Sequence, residues 1–77
     1  MGDFKSVKIK LSSVDEVNEF VGLASLNRGD VDIRCERYVV DAKSILGILS
    51  LDLKKVLTLD IYDGDLEEKI GKFLVEE

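Results

Sequence analysis

Histidine is missing altogether from this 77-residue chain. Imidazole is the only side chain whose unperturbed charge change falls between pH 5 and 8. Its absence excludes histidine-based general acid–base chemistry, histidine–metal sites and the Ser-His-Asp arrangement. Cysteine is nearly as scarce, because Cys35 stands alone and no internal disulfide can form. A reduced, packed thiol fits a reducing compartment, and a cytoplasmic location is the expectation. Proline is also absent. With no low-complexity tract and no repeat, nothing marks a linker, and one domain over 1–77 is expected. A domain this short buries only a modest fraction of its surface. No apolar run approaches the roughly 20 residues that span a bilayer, and no membrane association is expected. The opening "MGDFKSVKIK" lacks the apolar stretch of a signal peptide. "MGDFKS" matches the loose Met-Gly-x-x-x-Ser acylation pattern and is read as a chance match. No Walker loop or G-x-G-x-x-G is present. The chain therefore has no recognisable catalytic apparatus, and neither a cofactor nor a metal is expected.

What is present leans acidic. The net charge is −5. Phosphate backbones repel such a surface unless basic residues cluster, so no nucleic-acid partner is expected. Lys5, Lys8 and Lys10, and the pair Lys54–Lys55, read as solvated strand faces or strand ends. A basic protein partner suits this charge better. Asp60, Asp63 and Asp65 lack the spacing of a calcium loop and read as a solvated turn.

Periodicity divides the chain into seven elements. Val7, Ile9 and Leu11 alternate with Lys8 and Lys10, as in a half-buried strand. Ser13 with Glu16 makes a capping box. Val14, Val17, Phe20, Val21 and Ala24 follow as the apolar stripe of a helix. The stop falls over Asn27–Gly29, with Gly29 able to take a positive φ. Val31, Ile33 and Cys35 alternate with Asp32, Arg34 and Glu36. A tight turn near Glu36–Arg37 then leads into "YVV". "SILGILSL" is mostly apolar, and Ser44 is a good N-cap for a short helix there. Leu57, Leu59 and Ile61 alternate in a further strand, and "YDGD" turns around Gly64. "DLEEKIGKFLVEE" reads as a closing amphipathic helix with Asp65 and Glu68 as its cap. Leu66, Ile70, Phe73 and Leu74 form its stripe, and Gly71 costs about 1 kcal/mol in mid-helix. The order is β-α-β-β-α-β-α. Strands with one polar face imply an antiparallel sheet wetted on one side, in a two-layer α+β sandwich.

The order, the size and above all Lys43-Ser44-Ile45-Leu46-Gly47-Ile48-Leu49-Ser50-Leu51 resemble HPr, the small phosphocarrier protein of the bacterial sugar phosphotransferase system. Family members carry a Lys-Ser-Ile-Met-Gly-Val-Met-Ser-Leu-type segment. The resemblance runs without gaps from about Lys8 to Leu51 and continues with small shifts to the C-terminus. It implies an open-faced β-sandwich in which a four-stranded antiparallel sheet is covered on one face by three helices. It also implies two functional places. One is a histidine just before the first helix, which takes phosphate from enzyme I and passes it on. The other is a serine opening the middle helix, which a dedicated kinase phosphorylates in many Gram-positive bacteria.

The first place is altered. Ser13 occupies the phosphohistidine position, and Asp15 and Glu16 match the family's Arg and Pro. The imidazole nitrogen that forms a labile N–P bond is gone, and two carboxylates would repel an incoming phosphoryl group. Ser13 reads as an ordinary helix cap, and histidine phosphocarrier activity is expected to be lost. The second place is intact at Ser44. Chemistry alone makes Ser44 a cap, and the resemblance adds regulatory phosphorylation. Lys43, Ile45, Leu46, Gly47 and Leu49 surround it. A helix of about two turns cannot bury every apolar residue in this segment. Ile45, Leu46 and Leu49 are assigned to a partner surface, and Ile48 and Leu51 to the core.

In losing the histidine and keeping the serine, the chain resembles the catabolite-repression paralogue of HPr, a corepressor for a LacI-type transcription regulator. The partners implied are HPr kinase/phosphorylase and a transcription regulator or other protein, with the chain itself a monomer or weak dimer. Two alternatives stay open. One is a phosphotransferase component using a non-histidine residue. The other is a non-phosphorylated oligomerisation domain with its seam at "ILGIL".

Overall fold

The computed structural model describes residues 4–76. The acylation-like pattern at Gly2 lies outside the described residues. Four strands, β1 (Lys5–Ile9), β2 (Val31–Cys35), β3 (Tyr38–Asp41) and β4 (Leu57–Ile61), form one sheet in the order β1-β4-β2-β3. Every neighbouring pair is antiparallel. Helix α1 (Val14–Ser25) joins β1 to β2, and the short α2 (Ile45–Leu49) joins β3 to β4.

Each element has a local cause. Ser13 is the N-cap of α1, and its Oγ accepts from the Glu16 N–H at 3.2 Å. The Glu16 carboxylate reaches back to the Ser12 N–H at 2.7 Å, one residue earlier than the usual reciprocal bond. Glu36 takes a φ of 57° in the two-residue β2–β3 turn. A left-handed residue there matches the twist of the flanking strands. Val17, Phe20 and Ala24 of α1 are fully buried against Ile9, Ile33, Leu57 and Leu59 of the sheet, with Ile48 of α2 closing the core.

Several expectations need correction. Two α-helices, not three, accompany the sheet among the described residues. The segment read as a closing helix forms two 3₁₀ turns, Leu66–Glu68 and Gly71–Phe73. Leu66, Ile70 and Phe73 are buried as their spacing demanded. A continuous helix gives way because the chain re-extends at Leu74, with ψ 140°, and pairs with β1. There the Lys10 N–H donates to the Phe73 carbonyl and the Val75 N–H to the Lys8 carbonyl. Asp65 makes no capping bond and pairs instead with Lys69 at 3.8 Å. Gly29 has no positive φ, because α1 ends in an αR cap at Leu26. A side chain at Gly29 would instead collide with Asp63. Among the described residues the glycine with the left-handed backbone is Gly64, at a φ of 100°. Val14 is exposed, not part of the buried stripe.

Asp60 is the largest surprise in the sheet, because it lies in β4 and is only 2% exposed. It does not belong to a solvated turn. Arg34 Nε donates to its Oδ2 at 2.6 Å and Ser6 Oγ to its Oδ1 at 2.6 Å. Burial pushes this carboxyl up, but the Arg34 and Ser6 hydrogen bonds outweigh burial and hold it below the usual range.

Asp60 also belongs to a row of carboxylates, because Asp32 faces Asp41 on one side and Asp60 on the other. The Asp32 carboxyl is raised, first by burial and then by the charges of Asp41, Asp30 and Asp60. A carboxyl with a raised folded-state pKa costs stability above that pKa, and the cost disappears as pH falls through it. Asp32→Asn should therefore stabilise the fold at neutral pH by about 0.2–1 kcal/mol, the scale of a cross-strand like-charge pair. The gain should vanish below about pH 4, where both states are protonated. Urea titrations of the two proteins at neutral and acid pH check it.

Candidate functional site

Helix α2 carries the segment that drew the resemblance. Ser44 precedes it with extended backbone, φ −106° and ψ 109°, and its Oγ accepts from the Gly47 N–H at 3.1 Å. The side chain is exposed at this cap. Gly47 fits because a Cβ there would press to 3.2 Å on both Ser44 Oγ and Val40 Cβ. The glycine lets the helix sit close against β3 while the serine caps it. Lys43 is anchored from two sides. Its N–H donates to Asp41 Oδ1 at 2.9 Å, and its ammonium donates to the Asn27 carbonyl beyond the end of α1 at 3.1 Å.

The apolar residues of α2 divide by burial. Ile48 is fully buried, whereas Leu46 is 77% and Leu49 39% exposed. Ile45 and Leu51 are half-buried and pack against the core. The structure thus brings an exposed hydroxyl beside two solvent-facing leucines on a five-residue helix. Ile45, assigned to the surface group from sequence, sits at the boundary between that surface and the core.

Helix α1, which packs against α2, opens at the other place. Ser13 is exposed, with Asp15 and Glu16 in the first turn. Its Oγ is held by the Glu16 N–H, and the Glu16 carboxylate is held by the Ser12 N–H. Acidic side chains complement the helix dipole at this end. The same charges oppose an approaching phosphoryl group. Lys10, two residues before Ser12, donates its ammonium to the Leu53 carbonyl at 3.1 Å and ties this loop to the one after α2.

No group of three or more His, Cys, Asp or Glu side chains among the described residues is arranged to hold a metal ion. No helix among them is long and apolar enough to cross a membrane. Two polar features escaped the reading of the sequence. One is the Ser6–Asp60–Arg34 network across three strands. The other is an open pocket of about 250 Å³ lined by Asp30, Val31, Asp32, Asp41 and Tyr62. Both depend on strand order, which sequence alternation does not supply.

A four-stranded antiparallel sheet with both helices on one face defines an open-faced α+β sandwich. The crystal structure of HPr-C-His from Thermoanaerobacter tengcongensis superimposes on it with a TM-score of 0.69 and 31% sequence identity, over 88% of this chain and 83% of that one. This chain belongs to the HPr family. No family model matches the sequence, and no curated protein does either.

Proposed function

We propose that this chain is a regulatory, protein-binding member of the HPr family that has no histidine phosphocarrier activity and is addressed by phosphorylation at Ser44. The observation that carries the proposal is the pairing of an exposed Ser44 cap with the exposed Leu46 and Leu49, in a chain with no histidine. Its membership of the HPr family supports the reading. Phosphate at Ser44 would turn an apolar surface with one hydroxyl into an anionic one. A partner that prefers one form would then be selected against in the other. The partners proposed are an HPr kinase/phosphorylase and a transcription regulator, as for the catabolite-repression paralogue, in the cytoplasm. Catalysis is not part of the role.

Purified HPr kinase and ATP should add one phosphate to this chain, with Ser44→Ala abolishing incorporation. Authentic HPr labelled in parallel guards against an inactive kinase. Labelling of authentic HPr beside an unmodified chain would remove Ser44 from the account. Ser44→Ala also loses a cap worth about 1 kcal/mol, so its folding is checked by circular dichroism at the assay temperature.

A further inference from the structure

The two edges of the sheet are treated differently. At β1 the C-terminal segment covers the edge through the Ile9–Leu74 bridge and the Lys10 and Val75 N–H bonds. At β3 nothing comparable happens among the described residues. The two-residue turn makes Cys35–Tyr38 and Ile33–Val40 the inward-bonded pairs, so the peptide groups of Val39 and Asp41 point outward. The Asp41 carbonyl is taken by the Ser44 N–H, but among the described residues no backbone group meets the N–H and C=O of Val39. The side chains on this edge are apolar where edges are usually charged, with Tyr38 59% and Val39 58% exposed.

We propose that two copies of this chain associate through their β3 edges, antiparallel and about a two-fold axis at Val39, to make one continuous eight-stranded sheet. The register follows from the outward peptide groups. Val39 faces Val39 of the second copy and exchanges both backbone bonds with it. Tyr38 then falls opposite Val40, and Arg37 opposite Asp41. By symmetry each of these pairs occurs twice. The charge match is specific to this register. Arg37 forms no ion pair within its own chain among the described residues. Asp41 borders the pocket lined by Asp30 and Asp32, where three carboxylates gather without a cation among the lining residues. A guanidinium from the second copy would supply that missing charge. The net charge of −5 opposes association at long range, and the shared edge is short, so the dimer is weak. The proposal goes beyond the role of Ser44 and does not depend on it.

Charge reversal tests it, because each single reversal breaks the match and the two together restore it. Sedimentation equilibrium up to millimolar protein should show a concentration-dependent dimer for the wild type. Arg37→Glu sets Glu against Asp41 twice, and Asp41→Lys sets Lys against Arg37 twice. Each should lower the association constant about tenfold or more, as two exposed ion pairs become two repulsions. An equimolar mixture of the two variants should regain the wild-type constant as a heterodimer. That recovery also shows that both variants are folded. A wild type that stays monomeric at millimolar concentration would overturn the proposal. So would a dimer indifferent to either reversal, or a mixture that does not recover. Leu46→Lys run beside them should leave the dimer unchanged, and a loss there would move the seam to α2.

Discussion

Phe20→Ala is expected to destabilise the fold by about 3–5 kcal/mol, the usual cost of emptying a buried phenylalanine site. Phe20 is fully buried on the inner face of α1 and meets Phe73 edge-on, with ring centroids 5.9 Å apart at 81°. That contact ties α1 to the C-terminal turns, two segments far apart in the chain. A domain this small has a total stability of only about 4–12 kcal/mol at the usual 0.05–0.15 kcal/mol per residue. The variant therefore loses between a quarter and all of its stability, and its urea midpoint should fall by the same fraction at an unchanged m value. Urea denaturation followed by circular dichroism checks this, with Val14→Ala as the internal control. Val14 lies on the same helix but is exposed, so its truncation should stay within about 0.5 kcal/mol. Equal shifts for the two variants would contradict the assignment of the α1 inner face.

The second large effect concerns phosphotransfer. Incubation with enzyme I and phosphoenolpyruvate should leave this chain without acid-labile phosphate, while authentic HPr in the same tube is labelled. The reason lies in three side chains at the start of α1. Ser13 has no ring nitrogen to carry a labile phosphoryl group, and its hydroxyl is engaged with the Glu16 N–H. Asp15 and Glu16 put negative charge where a phosphoryl group would arrive. A phosphoserine ester formed there would also be too stable to hand on easily. Ser13→His alone should recover only trace labelling, because both carboxylates remain. Adding Asp15→Arg should raise it further, since a cation then replaces a repelling charge. Label on the unaltered chain that survives alkali and is lost in acid would overturn the loss of carrier activity.

The parts of the fold that could be read from sequence were those decided by neighbours in the chain. Alternation placed Val31, Ile33 and Cys35 inside, and Leu57, Leu59 and Ile61 as well. Ser13 with Glu16, and Ser44 with Gly47, are local hydrogen bonds that residue type and spacing announce. The C-terminal segment misled because Leu66, Ile70 and Phe73 sit at helical spacing. Two 3₁₀ turns bury the same three residues, and pairing with β1 decided between the two shapes. Asp60 was misread for a similar reason. Its partners Arg34 and Ser6 come from β2 and β1, and only the order β1-β4-β2-β3 brings them together. At the candidate site, residue type identified Ser44 as a cap and resemblance gave it a proposed role. The burial of each apolar neighbour followed from how α2 packs on β3 and α1, which placed Ile45 partly in the core.

The central claim is that regulation through Ser44 remains where carriage through a histidine has gone. Intact-mass measurement and fragmentation of the protein purified from its native cells, grown on contrasting carbon sources, test this most directly. The account predicts one phosphate in at least one growth condition, localised to Ser44 and stable in acid. A chain unmodified at Ser44 in every condition, or carrying an acid-labile phosphate elsewhere, would contradict it.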